Sequence, residues 1–242
     1  DWLLTAMPWW LLIGLFMLLA WLGTRRVTLA VTIGILMFVM GMLGLWSLMT
    51  QTLTLMLIAS FMAVSMGVFV GITAAKSRLI KTVSLPVLDI MQTLPAFVYL
   101  IPVLMLFGLG KVPAIIATVI YALPPMIRLT TLGIERVDTE AREAGMSFGL
   151  TAWQLLWRVE LPLARPTLMA GVNQTIMLAL SMVVVASMIG ARGLGEQVLN
   201  GIQTLDVGMG LEAGLGIVIL AFVLDRITQG FGGQRETRHE QD

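Results

Sequence analysis

The sequence predicts an all-α, polytopic membrane protein with about seven transmembrane helices. Of its 242 residues 58% are hydrophobic and only 12% are charged, and the mean hydropathy is +0.93. The apolar residues come in runs of about 20, the length a helix needs to cross some 30 Å of hydrocarbon. All but two of the 15 Lys and Arg residues fall on one side of the membrane when those runs are taken as successive spans, as the positive-inside rule requires of a multi-pass chain. The composition also excludes whole classes of chemistry. There is no cysteine, and the single histidine, His239, sits in a polar tail, so disulfides, thiol catalysis and His/Cys metal sites are ruled out and no catalytic residue is assigned. The net charge of +1 is spread between apolar spans and forms no face for nucleic acid. Because Asp1 is not a methionine, the chain is expected to be processed or preceded by further sequence.

Taken in order, the expected spans are 2–22, 27–46, 52–75, 85–107, 112–129, 167–189 and 211–227. Trp2, Trp9, Trp10 and Trp21 flank the first as an interfacial belt, and Arg25 and Arg26 stop it. The third carries Gly67 and Gly71, a GxxxG pair that admits another helix, from this chain or from a second copy. A basic loop of Lys76, Arg78 and Lys81 leads to the fourth, whose Pro86, Pro95 and Pro102 predict kinks or a break. Pro124 and Pro125 lie near the end of the fifth. A glycine-rich connection, 191–210, holds a short surface helix over 195–204, and Gly190 to Gly195 reads as a hinge or a plain turn. With only Lys111 and Arg192 on the opposite side, the rule puts the N-terminus outside and the C-terminus and the 135–166 segment in the cytoplasm.

That segment is a polar island between spans. Glu135, Asp138, Glu140, Glu143 and Glu160 lie there beside Arg136, Arg142, Arg158 and Arg165. Asp138 or Thr139 caps a first helix and Gly149 stops it. Thr151 and Gln154 form a capping box for a second, Trp153, Leu156 and Trp157 fall on one of its faces, and Pro162 ends it. Two short helices joined at a glycine make a compact knob that suits a soluble partner.

Within the knob, Glu143-Ala144-Gly145, then Gly149, then Val159-Glu160-Leu161-Pro162 resembles the EAA signature of bacterial ABC importer permeases. Gly145 stands where the second alanine is usual and Val159 where isoleucine is; the glycine loosens the first helix by about 1 kcal/mol relative to alanine. Residues 188–229, together with Asp89, Gln92, Thr93 and Pro95, are similar to the proline/glycine betaine branch of this binding-protein-dependent transport family. The resemblance implies a five-helix type I (MetI-like) core over 50–230, two added N-terminal helices over 1–49, coupling helices at 138–161 and a cytoplasmic tail at 231–242. It implies an inner-membrane permease for betaine osmoprotectants that pairs with a second copy of itself. Two cytoplasmic ATP-binding subunits, which hold ATP and Mg, and a periplasmic betaine-binding protein are implied as partners. Branch members also carry sequence before the first span.

The physics agrees with a partner-driven permease. Accumulating a solute a thousandfold costs about 4 kcal/mol. The chain has no nucleotide site and no cofactor of its own: Gly110-Lys111 superficially resembles a P-loop, but Met105 and Val112 occupy the required Gly and Ser/Thr positions. Energy therefore enters through the knob. The expected coupling residues are Glu143, Ala144, Gly145, Phe148, Gly149, Trp153, Leu156, Trp157, Leu161 and Pro162. All seven tryptophans lie outside the core spans, which argues against an aromatic cage in the pore and assigns selectivity to the external binding protein. Polar residues inside spans, namely Asp89, Gln92, Thr93, Asn173, Gln174 and Ser181, either line the solute path or serve the structure; Tyr99 and Tyr121 touch solute or anchor at the interface. The alternatives are an ABC permease for another small solute such as an amino acid, or an ion-coupled secondary transporter.

Overall fold

A computed structural model of the chain describes residues 7–187 and 190–232, all of whose regular structure is helical. The expected start of the first span at Trp2, the end of the sixth at 189 and most of the 231–242 tail lie outside the described residues. Helix α1 is Trp9–Thr24 and α2 is Val27–Met42. Arg25, with φ 57, turns the corner between them, its guanidinium 5.6 Å from the Trp21 ring. Helix α3, Trp46–Lys76, follows Gly44, whose φ of 71 ends the second helix earlier than expected and hands Trp46 to the third. The basic stretch 76–81 is not a loop. Only Ser77 lies between α3 and α4 (Arg78–Thr93), and its side chain caps α4 by accepting from the Ile80 amide at 3.4 Å.

The expected fourth span is broken. Leu94 and Pro95 separate α4 from α5, Ala96–Phe107, and the two helices are bent by 99°. Pro86 and Pro102 sit inside α4 and α5 without breaking them, so of the three prolines only Pro95 stops a helix. Helix α6, Lys111–Glu135, carries Pro124 and Pro125 in its buried middle. The knob holds α7, Thr139–Ser147, and α8, Ala152–Leu155; a π-helical turn, Leu156–Glu160, joins α8 directly to α9, Leu161–Ala186. Pro162 therefore does not end the second knob helix. It occupies the first turn of α9, where a missing N–H costs little, and the wider turn before it lets one helical run continue from Ala152 to Ala186. Helices α10, Leu194–Thr204, and α11, Val207–Gly232, complete the fold.

Among the described residues four helical runs are long and apolar enough to cross a membrane: α3, α6, α8 through α9, and α11. The bent α4–α5 pair makes a fifth. With 16 residues each, α1 and α2 reach roughly 24 Å, short of a bilayer's roughly 30 Å, so helix length alone does not give seven spans.

The bundle is built on close helix contacts through glycine. A Cβ on Gly67 or Gly71 would stand 2.6 Å from Met126 Cβ or 2.5 Å from Thr130 Cβ, so the GxxxG pair serves α6 of the same chain, running parallel to α3. Thr131 Oγ1 donates across that contact to the Gly71 carbonyl at 3.1 Å. Gly133 and Gly171 seat α9 antiparallel against α6. On the far side α11 packs on α9, and α1 reaches the bundle at Gly23 against Gly230. The helix at 194–204 forms as expected, but its first turn is inside the bundle. Leu194 is fully buried and its N–H donates to Thr52 Oγ1 at 2.8 Å, while a Cβ on Gly195 would come within 2.7 Å of the Val184 carbonyl.

Candidate functional site

The knob is assembled by local chemistry. The Asp138 carboxylate accepts from the Glu140 amide at 3.0 Å and starts α7. At its other end Gly149 takes φ 77; the Gly149 amide donates to the Met146 carbonyl at 2.9 Å and the Leu150 amide to that of Gly145 at 3.2 Å, the double bond set of a Schellman ending. The capping box on α8 is complete, with Gln154 N to Thr151 Oγ1 at 3.4 Å and Thr151 N to Gln154 Oε1 at 3.0 Å.

The expected coupling residues divide into two sets. Phe148 is 88% exposed, Trp153 68% and Trp157 54%, and the two indoles meet edge to face with centroids 5.6 Å apart. Glu143, Ala144 and Pro162 are also exposed, and Leu161 is half-buried. Leu156, by contrast, turns inward beside Ile134, Val137 and Ala164, so it does not share the outer face with Trp153 and Trp157. Gly145 is buried too. A Cβ there would stand 2.7 Å from Leu155 Cδ1, so the glycine that lowers helix propensity also makes room for α8 under α7. Four large apolar side chains, Met146 included, thus lie open on the knob helices and the turns that flank α8.

Beneath that surface is Glu160. It is 1% exposed, 2.5 Å from Lys76 Nζ at the end of α3 and 3.3 Å from Arg142 Nε on α7, while Arg142 Nη2 donates to the Ile134 carbonyl. One buried carboxylate therefore ties α3 and α7 to the π-helical turn that leads into α9. The sequence offered it as one charge of the island and as the unspecified position of the Val159-Glu160-Leu161-Pro162 match; the spacing Leu156, Glu160, Ala164, three buried residues on one helical face, is the signal of its burial.

The candidate path residues are also sorted by the fold. Asp89, Gln92 and Thr93 are exposed along one face of α4. Asp89 Oδ1 is 2.5 Å from Arg128 Nη2 of α6, a partner separated by 39 residues in sequence. Nearer the knob, Lys81 Nζ meets both oxygens of Glu135 at 2.7 and 2.8 Å. Past the bend, Tyr99 lies edge-on to Tyr121 with centroids 5.7 Å apart and donates its hydroxyl to the Met91 carbonyl. These residues share one flank of the molecule. Asn173 is elsewhere, between α9 and α11: its Nδ2 donates to Asp225 Oδ1 at 3.1 Å and its Oδ1 accepts from Thr228. Asp225 also accepts from Gln229 Nε2 at 2.7 and 2.8 Å and was not among the expected residues. Gln174 and Ser181 are exposed on α9, Ser181 donating to the Met177 carbonyl at 3.1 Å. Among the described residues no three His, Asp or Glu side chains converge as a metal site.

Comparison with known proteins places this arrangement. Residues 67–232 match the family described as binding-protein-dependent transport system inner membrane component. The chain is 50% identical over 237 residues to the glycine betaine/carnitine transport permease protein GbuB of Listeria monocytogenes, covering 96% of this chain and 83% of that protein. It is 49% identical to the glycine betaine/proline betaine transport system permease protein ProW of Escherichia coli, covering 98% of this chain but 66% of that longer protein. Among solved structures, an inward-facing MetNI methionine ABC transporter chain superposes with a TM-score of 0.67 at 23% identity, over 77% of this chain and 95% of that one, which establishes the likeness of fold.

Proposed function

Since the chain belongs to the family of inner membrane components of binding-protein-dependent transport systems, we propose that it is the permease subunit of an ATP-driven importer of glycine betaine and proline betaine. A family permease is a non-catalytic membrane subunit. The finer reading is that two copies form the pathway, two cytoplasmic ATPases bind ATP and Mg, and a periplasmic protein delivers the solute. In it the N-terminus is periplasmic, the C-terminus and knob are cytoplasmic, 50–230 is the core and 1–49 an added helix pair. The single observation that carries the coupling role is the open patch of Phe148, Trp153 and Trp157 on a knob that bears the EAA signature. Aromatic side chains of this kind anchor in a groove of the partner, with Glu143 and neighbouring arginines at the rim. Leu156 and Leu161 anchor the segment on the bundle, and Pro162 opens the long helix behind it. Gly145 and Gly149 set its shape.

The solute assignment follows the named relatives, whose betaine substrates carry a quaternary ammonium group. An aromatic cage is the usual holder of such a cation. On the α4–α6 flank the one aromatic pair among the described residues is Tyr99–Tyr121, which fits a weak, passing contact.

The test is co-expression with the ATPase and binding protein, followed by purification and reconstitution. Trp153→Ala with Trp157→Ala is expected to weaken ATPase capture by about 30-fold, the size of one interfacial hot spot. Gly149→Asp, which forces a side chain into φ 77, is expected to reduce capture and uptake together. Full capture and ATP-driven betaine uptake by both variants would remove the coupling role.

A further inference from the structure

Two ion pairs bridge α4 and α6 in one antiparallel register, Lys81 with Glu135 and, eight residues along α4 and seven back along α6, Asp89 with Arg128. At 1.5 Å per residue the second lies roughly 10–12 Å deeper into the bundle than the first. The two differ in how they are closed. Lys81 touches both oxygens of Glu135 and each side chain is about two-thirds covered. Asp89 gives Arg128 a single oxygen, its side chain is 65% exposed, and Arg128 Nε is buried without an acceptor. A charge pair is costly against lipid, which favours water on its open side. Its planar guanidinium can take a carboxylate by two bonds through the terminal nitrogens, one of which already meets Asp89.

Resting on the reading as a betaine permease, we infer that Asp89–Arg128 is an exchangeable docking pair for a small zwitterion. The solute carboxylate replaces Asp89 on Arg128, and its cationic end pairs with the Asp89 carboxylate so released. Gln92 and Thr93, one turn further along the same face, offer polar partners beside it, and the Tyr99–Tyr121 pair lies beyond the bend. The exchange leaves no protein charge unpaired only when one molecule brings both charges. The site therefore fits carboxylate-bearing betaines and amino acids, and disfavours cations such as choline that lack the carboxylate.

The experiment uses the complete transporter in proteoliposomes and measures the initial rate of ATP-driven glycine betaine uptake for Asp89→Asn, Arg128→Gln and the double variant. Each single change is expected to lower the rate about tenfold and the double about a hundredfold, because each removes one charged handle on the solute. A double variant as fast as either single variant, or faster, overturns the inference: a purely structural pair loses less when both charges go than when one is stranded. Single variants at the unmodified rate overturn it as well. Should these fail to assemble, Arg128→Lys keeps the charge but not the fork; it is expected to be about fivefold slower, and an unchanged rate counts against the exchange. Absence of betaine uptake by the unmodified assembly would instead refute the functional reading and take this inference with it.

Discussion

Glu160 and Asp89 are both carboxylates near the α3–α6 core, and both meet a cation at 2.5 Å, yet they belong to opposite regimes. Glu160 is 1% exposed and held from two sides by α3 and α7; Asp89 is 65% exposed and held once. A buried carboxylate must keep its partners, because stranding a charge in a dry interior costs several kcal/mol. An open pair is worth little to stability and can exchange partners. The knob is thus tied to the bundle by a closed charge cluster, while the α4–α6 flank holds an open one; on the proposed function the first would carry motion and the second would meet solute.

The largest break in that contrast is expected from Lys76→Met. It leaves Glu160 with only the 3.3 Å contact to Arg142 and should cost about 3 kcal/mol, read as a lower thermal midpoint of the purified protein. The corresponding change at the open pair, Asp89→Asn, should cost under about 1 kcal/mol by the same assay. Asn173→Leu tests the region between the two extremes. Its bonds join α9 to α11 across a half-buried contact, so a loss of about 1 kcal/mol is expected with betaine uptake within about twofold; a tenfold loss of uptake at unchanged stability would return Asn173 to the path. The smallest effect should come from Gly145→Ala. A gain of about 1 kcal/mol in helix propensity is offset by the shift of Leu155 Cδ1 from 2.7 Å, giving a net change within about 0.5 kcal/mol by thermal unfolding.

Much of the knob is legible in sequence because its determinants are local. Asp138, Gly149 and the Thr151–Gln154 box act over five residues or fewer, and each sits where its chemistry put it. The break at Pro95 follows the same logic. Leu156 was harder. Three- and four-residue spacing groups it with Trp153 and Trp157, but the long run begun at α8 buries one side against α6, and Leu156 is on that side. Pro162 reads as a stop by local rules; the π turn before it and the packing of α9 on α6 make it a first-turn proline.

By itself the sequence determined that this is a multi-pass helical membrane protein, where its knob lies and how each knob helix is capped, since hydropathy and capping depend on neighbours along the chain. Only the tertiary structure decided that the Gly67–Gly71 pair serves an internal helix, that Glu160 joins three helices and that Asp89 meets Arg128. Those pairings span from 18 to 84 residues. They exist because helices brought together in the bundle must satisfy charge and volume against whatever lies across from them, which no local pattern specifies.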